Sequence, residues 1–351
     1  QELPIAIRKG TRKCTKQPLY PLAHFLSFEK FSPKHRAFLV SLNTISIPTT
    51  LSEAFSSEKW KQAMNMEMEA LEKNKTWELV KLPEGKKPVG CKWVYTVKYK
   101  ADGSIERYKA RLVAKGYTQT YGIDYLETFA PVAKMNTVRL LLSLAANYGW
   151  DLQQFDVKNA FLHGELDEEI YMEVPPGFEK KLAARTVCKL KKALYGLKQS
   201  PRAWFGRFAR VMLHKGYKQS QGDHTLFIKH SPSGGVTALL VYVDDIIVTG
   251  DDVKEKQALR QYLAKEFEIK ELGRLKYFLG IEVAHSREGI FISQQKYVTD
   301  LLKETGKTAC RPANTPMDPN LKLGKAEEDA AVDKEMYQRL VERLIYLSHT
   351  R

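Results

Sequence analysis

The 351-residue sequence has only four cysteines, Cys14, Cys91, Cys188 and Cys310, and no C-x-x-C pair. Cysteines this far apart suggest neither a disulfide framework nor a zinc site, so free thiols in a reducing compartment are expected. No apolar run approaches the ~20 residues of a bilayer-spanning helix, so no membrane partner is expected. The start, Gln1-Glu2-Leu3-Pro4, is neither an initiator methionine nor a signal peptide, and a piece of a longer precursor is expected. Internal repeats and low-complexity tracts are also lacking. Acids are in deficit: 41 Asp and Glu stand against 56 Lys and Arg, a net charge of +15. Such a surface suits a polyanionic partner, although a basic enzyme without nucleic acid has the same balance.

Hydrophobic residues make up 43% and charged residues 28%, enough for a sizeable core and too apolar for a disordered whole. The length suits two or three packed subdomains. Residues 1–52 read as a basic, poorly ordered linker. Arg8, Lys9, Arg12, Lys13, Lys16, Lys30, Lys34 and Arg36 stand there against Glu2 and Glu29, as a solvated tail or a nucleic-acid contact. Ser57 is placed to cap a helix over about 58–73, with Trp60, Met64, Met68 and Leu71 on one face. Trp93, Tyr95, Val97 and Tyr99 alternate, Asp102-Gly103 offers a turn, and Ile105 to Val113 returns as a hairpin.

A helix is expected from Met135 to Tyr148, stopped by Gly149, and then a strand from Trp150 to Val157. Ser200-Pro201 pairs a cap with a proline at the first helical position. The helix it opens is lined by Trp204, Phe205, Phe208 and Met212 and ends at Gly216. A sheet segment follows from about Thr225 to Val248, then a helix capped by Asp252 and running to about Phe267. Leu275 to Ile292 reads as a hairpin closed by Ser286-Arg287-Glu288-Gly289. Ser293 caps a helix to Thr305, a proline-containing loop covers 307–325, and Lys334 to Ser348 is an amphipathic helix. Antiparallel strands interleaved with helices make an α+β chain.

The stretch Ala238-Leu239-Leu240-Val241-Tyr242-Val243-Asp244-Asp245-Ile246-Ile247-Val248 sets two carboxylates in an otherwise apolar strand sequence. An unpaired buried carboxylate is very costly, so the acids must sit at a turn, be paired, or hold a cation. A solvent-facing turn satisfies this as well as a metal site does. Asp156 ends a separate strand pattern, Gln154-Phe155-Asp156-Val157-Lys158-Asn159-Ala160-Phe161. Three carboxylates brought together would repel and raise one another's pKa, and would persist around a hard cation such as Mg2+. Two such ions ~3.5–4 Å apart are the apparatus of phosphoryl transfer.

Tyr242-Val243-Asp244-Asp245 is similar to the Tyr-X-Asp-Asp box of reverse transcriptases. Phe155-Asp156-Val157-Lys158-Asn159-Ala160-Phe161-Leu162-His163-Gly164 resembles the family's preceding acidic motif in its copia-type form. Arg107 to Gly116, Leu194 to Trp204 and Phe278 to Val283 match in the same order, so the resemblance covers about residues 58–351. It implies a right-hand polymerase fold. Fingers would span 53–134, a palm with a finger insertion 135–270, and a primer-gripping hairpin with thumb 271–351, without a ribonuclease H domain.

The resemblance implies two Mg2+ ions, with Mn2+ able to replace them, on Asp156, Asp244, Asp245 and the Val157 carbonyl. It makes Val243 the variable position of the box. It assigns the deoxynucleoside triphosphate to Lys109, Arg111, Asn159, Ala160, Phe161, Tyr195 and Gly196. Phe161 would exclude a 2′-hydroxyl, and Lys109 and Arg111 share one strand face. Template and primer fall to Gln199, Ser200, Pro201, Tyr242, Phe278, Leu279 and Gly280. Arg202 is open to a phosphate or to a surface acid.

The implied activity is RNA-directed DNA polymerisation with an RNA template, a DNA primer and dNTPs. The implied companions are the ribonuclease H, integrase and capsid parts of a retrotransposon polyprotein. The implied location is a cytoplasmic virus-like particle or the nucleus. The rival readings are an inactive transposon remnant that keeps nucleic-acid binding, a domain acting only inside a polyprotein particle, and a generic metal-dependent nuclease.

Overall fold

The computed structural model describes residues 46–100, 104–179, 183–308, 310–311 and 333–350. Most of the basic linker, the Asp102-Gly103 turn and most of the 307–325 loop lie outside them. The chain runs α1 (Leu51–Phe55), α2 (Glu58–Lys73), β1 (Trp77–Lys81), β2 (Cys91–Tyr99), β3 (Ile105–Ala114), α3 (Met135–Tyr148), β4 (Gln153–Val157), β5 (Glu165–Met172) and β6 (Thr186–Lys192). It continues with α4 (Ser200–His214), β7 (Lys218–Gln219), β8 (Leu226–His230), β9 (Val236–Tyr242), β10 (Asp245–Gly250), α5 (Val253–Glu266) and β11 (Ile269–Arg274). Last come β12 (Tyr277–Phe278), β13 (Ile281–His285), β14 (Ile290–Ser293), α6 (Gln295–Glu304) and α7 (Lys334–Thr350).

The largest sheet among the described residues is antiparallel, in the order β11-β4-β10-β9-β8-β7. Side chains alternate across a strand, and both faces are covered here. Phe155, Val157, Leu239, Val241, Ile246 and Val248 pack with Trp204 and Phe208 of α4 and Leu259 and Leu263 of α5. Leu240 and Ile247 pack on the other face with Val138, Leu141 and Leu142 of α3 and with Phe278 and Ile281. A sheet buried on both faces needs continuous apolar strands, which accounts for residues 238–248. Each fully buried Leu, Ile or Val contributes ~1.5–3 kcal/mol, so a charge survives only where a strand ends.

A three-stranded sheet β1-β6-β5, a ribbon β2-β3 and a small sheet β12-β13-β14 flank this centre. Glycine in the left-handed region caps α3, with Gly149 at φ +67°.

Several expectations shift. The linker does not extend to 52, because Thr50 accepts from the Glu53 amide and caps α1. The strand expected from Trp150 begins at Gln153. Ser57 caps α2 by position without a side-chain hydrogen bond. Gln199, not Ser200, is the N-cap of α4, because Ser200 Oγ donates to the Leu194 carbonyl at 2.6 Å. The 275–292 hairpin is three strands. Strands β1, β5, β6 and β11 were not expected, since charged residues such as Asp167, Glu168 and Glu169 blur their alternation.

Candidate active site

Register brings the acids together. Asp245 of β10 lies opposite Asp156 of β4 and also opposite Tyr242 of β9, leaving Val243-Asp244 as a two-residue turn. Three carboxylates from two chain segments therefore lie at the adjoining ends of two interior strands. Val243 has φ +53°, a conformation a β-branched residue adopts only under strain of ~1–3 kcal/mol. Glycine is the usual residue at such a position. Two hydrogen bonds hold the turn. The indole N–H of buried Trp204 donates to the Val243 carbonyl at 2.6 Å, and the Val157 amide donates to the Asp244 carbonyl at 2.8 Å.

Burial pushes the Asp245 carboxyl up to about 6, and the nearby Asp244 and Asp156 charges add to that; a hydrogen bond from Gln154 opposes it. Asp156 is also raised, first by burial and then by Asp244, against the pull of Lys270, Lys109 and Arg107. Like charges that disfavour one another are what a hard cation relieves, and the oxygen donors fit Mg2+. Among the described residues, however, no three His, Cys, Asp or Glu side chains are already arranged around a metal position. Asp245 Oδ1 is engaged by Gln154 Nε2 at 3.1 Å.

Opposite the acids, β3 buries Ala110, Leu112 and Ala114 and turns Lys109 and Arg111 to its other face, as expected. Burial and then the Arg111 and Arg107 charges pull Lys109 down. Arg111 lies over the Tyr195 ring, 4.5 Å from its centroid, and the Phe161 ring is tilted against that of Tyr195 with centroids 4.9 Å apart. Burial pushes the Tyr195 hydroxyl up to about 12, so it remains a neutral donor. Gly196, at φ +92°, lies where a Cβ would be 2.1 Å from the Ala114 carbonyl oxygen, and the Ala114 amide donates to the Tyr195 carbonyl at 2.7 Å. Asn159 is left-handed at φ +49°, while Ala160 is buried in the core.

The remaining expectations divide. Gln199 and Ser200 are 2% and 1% exposed, so their side chains point into the protein. Gln199 instead receives a hydrogen bond from Gln119 at 3.0 Å and donates to the Asp124 carbonyl at 2.9 Å. Pro201 is half-buried at the start of α4. Arg202 pairs with Glu127, the surface-acid alternative. Phe278 is 2% exposed and edge-on to Tyr242, with ring centroids 6.3 Å apart. Leu279 and Gly280 form the β12–β13 turn at φ +48° and +72°. There the Tyr346 hydroxyl donates to the Leu279 carbonyl at 2.6 Å.

Four residues at the site were given no role there in the sequence reading. Gln154, Trp204 and Gln119 make the contacts above. Glu67 of α2 is a buried acid within electrostatic reach of Lys109 and Arg111, and burial raises it. Its placement among the apolar residues of α2 was the one available signal.

A family model described as reverse transcriptase (RNA-dependent DNA polymerase) matches residues 74–319. The Retrovirus-related Pol polyprotein from transposon RE1 of Arabidopsis thaliana is 43% identical over 92% of this chain and 22% of its own length. That from transposon TNT 1-94 of Nicotiana tabacum is 41% identical over 85% of this chain and 23% of its own. The chain thus spans under a quarter of the length of these relatives. A solved foamy viral protease-reverse transcriptase in complex with double-stranded DNA aligns over 72% of this chain and 39% of its own, at 14% identity. Its TM-score of 0.35 is too low to bear on the fold.

Proposed function

This chain belongs to the reverse transcriptase (RNA-dependent DNA polymerase) family, and from that membership we propose that it is the polymerase part of a copia-type retrotransposon Pol polyprotein. It extends a DNA primer on an RNA template, joining deoxynucleotides to a primer 3′-hydroxyl with release of pyrophosphate. The observation that carries this reading is the pairing of Asp245 with Asp156 beside the Val243-Asp244 turn.

Asp156, Asp244, Asp245 and the Val157 carbonyl would hold two Mg2+ ions, or Mn2+. When bound, these supply Lewis-acid stabilisation of phosphoryl charge. Lys109 and Arg111 neutralise the triphosphate, with Arg111 braced on Tyr195. Tyr195 and Phe161 form the aromatic floor for base and sugar, and Phe161 excludes a 2′-hydroxyl. Gln199 and Ser200 act indirectly, by fixing the loop that carries Tyr195.

The β2-β3 ribbon and the β1-β6-β5 sheet act as fingers, and the six-stranded sheet with α3, α4 and α5 acts as palm. The β12–β14 sheet with α6 and α7 serves as primer grip and thumb. The companion parts are ribonuclease H, integrase and capsid, in a cytoplasmic particle or the nucleus.

The test is Mg2+-dependent extension of a DNA primer on an RNA template by the parent and by Asp244→Asn. Extension by the parent alone supports the reading. Extension by both refutes the acid assignment. Duplex binding without extension by either leaves a nucleic-acid-binding remnant.

A further inference from the structure

Gln154 is a polar side chain, 7% exposed, in a strand whose neighbours Phe155 and Val157 are core residues. An amide buried in such surroundings is destabilising unless its protons are used. Its one nitrogen, Nε2, donates both protons: to Asp245 Oδ1 at 3.1 Å and to the Tyr277 carbonyl at 3.2 Å. The first acceptor belongs to the acidic hairpin, the second to β12. Gln154 and Asp245 also line, with Arg274, Lys276, Tyr277 and Phe278, part of a cleft of about 500 Å3 between the sheet edge and the β12–β13 turn.

We propose that Gln154 is a positioning residue that fixes the rotamer of Asp245 and joins the acidic hairpin to the β12–β13 turn, so that the two sides of this cleft keep one geometry. The inference rests on the functional reading above and adds a member to its machinery. Both links use one planar NH2 group, so a shift of β12 moves the amide and with it the carboxylate. The Tyr242–Phe278 ring contact closes the same gap at a second point. A rigid two-point bridge keeps a group that must meet the reacting atoms from wandering, and a displacement of ~1 Å can cost about 10²-fold in rate. The Lys109, Arg111 and Tyr195 cluster lies on other elements and is untouched by the bridge.

Gln154→Met keeps the length and volume of the side chain and removes both protons. Three quantities are compared with the parent: affinity for an RNA–DNA template–primer in EDTA, single-turnover extension at saturating Mg2+, and melting temperature. Losing the β12 link is expected to weaken EDTA affinity severalfold, and losing the Asp245 link to slow extension at least tenfold, with dNTP KM unchanged.

Unchanged affinity and unchanged rate overturn the proposal. So does a lower fraction of active molecules that extend at the parental rate, because that is plain destabilisation. Gln154→Glu, which sets a second carboxylate against Asp245, is expected to be slower still, and a faster Glu than Met variant would also overturn it. If the parent itself fails to extend, the functional reading fails. The EDTA affinity then decides the β12 link alone, with parental affinity in Gln154→Met overturning it.

Discussion

Replacing Gly196 with alanine probes how closely the basic strand must approach the aromatic floor. A Cβ there would lie 2.1 Å from the Ala114 carbonyl oxygen and 2.7 Å from Val113 Cγ1, where ordinary contact begins near 3.4 Å. Both neighbours sit on β3, and one is backbone, so the turn and the strand must separate by roughly 1 Å, the scale at which positioning costs about 10²-fold in rate. The φ of +92° adds a conformational cost of ~1–2 kcal/mol for any residue with a Cβ. The hydrogen bond from the Ala114 amide to the Tyr195 carbonyl stretches, and Arg111 loses its ring support.

The assay is steady-state primer extension with dNTP titration, alongside thermal melting. Gly196→Ala is expected to lower kcat/KM by about two orders of magnitude and the melting temperature by several degrees. The control is Gly206→Ala on α4, where a Cβ meets nothing within 4 Å; it is expected to be neutral or to gain up to ~1 kcal/mol of helix propensity. Parental kcat/KM and parental melting temperature in Gly196→Ala would refute the reasoning.

Trp204→Phe keeps the ring in the core but leaves the Val243 carbonyl without its donor, a loss of ~1–3 kcal/mol. A fall in kcat with unchanged duplex affinity is expected, and parental kcat would count against the clamp. Phe161→Ala should raise ribonucleotide incorporation relative to deoxynucleotide; an unchanged ratio removes Phe161 as the gate. Asp245 is raised to about 6 in the fold from 3.8, so its contribution favours folding below about pH 4 and is lost as pH climbs through 6. Cation-free stability should therefore decline over that interval, less steeply in Asp245→Asn, and a slope unchanged by the substitution would refute the assignment. Burial pushes the Cys91 and Cys188 thiols up to about 12, whereas Cys310 is exposed. Alkylation of the native protein should mark Cys310 and spare the other two, as read by peptide mass.

The acidic box, the basic face of β3 and the glycine stop after α3 were legible because each is local: a turn, a period of two, a left-handed cap. The family resemblance put Asp156 with Asp244 and Asp245, and strand register sets Asp245 opposite Asp156. What stayed hidden depends on distant partners. Gln119 and Gln199 are 80 residues apart, and Gln154 and Tyr277 are 123 apart. Nothing local distinguishes a glutamine that meets solvent from one that bridges two buried acceptors. The same blindness hid the burial of the Gln199 and Ser200 side chains. Strands β5 and β6 were missed because polar residues dominate them; their apolar minority, Ile170, Met172, Val187 and Leu190, is buried.

The turn at Val243, a residue 43% exposed, is gripped by its carbonyl. Every amino acid offers the same carbonyl. A side chain that tolerates the positive φ can therefore be exchanged here, changing what the surface presents while the carbonyl grip on the turn is kept. The hairpin thus separates a side chain that faces outward from a backbone that is held in place.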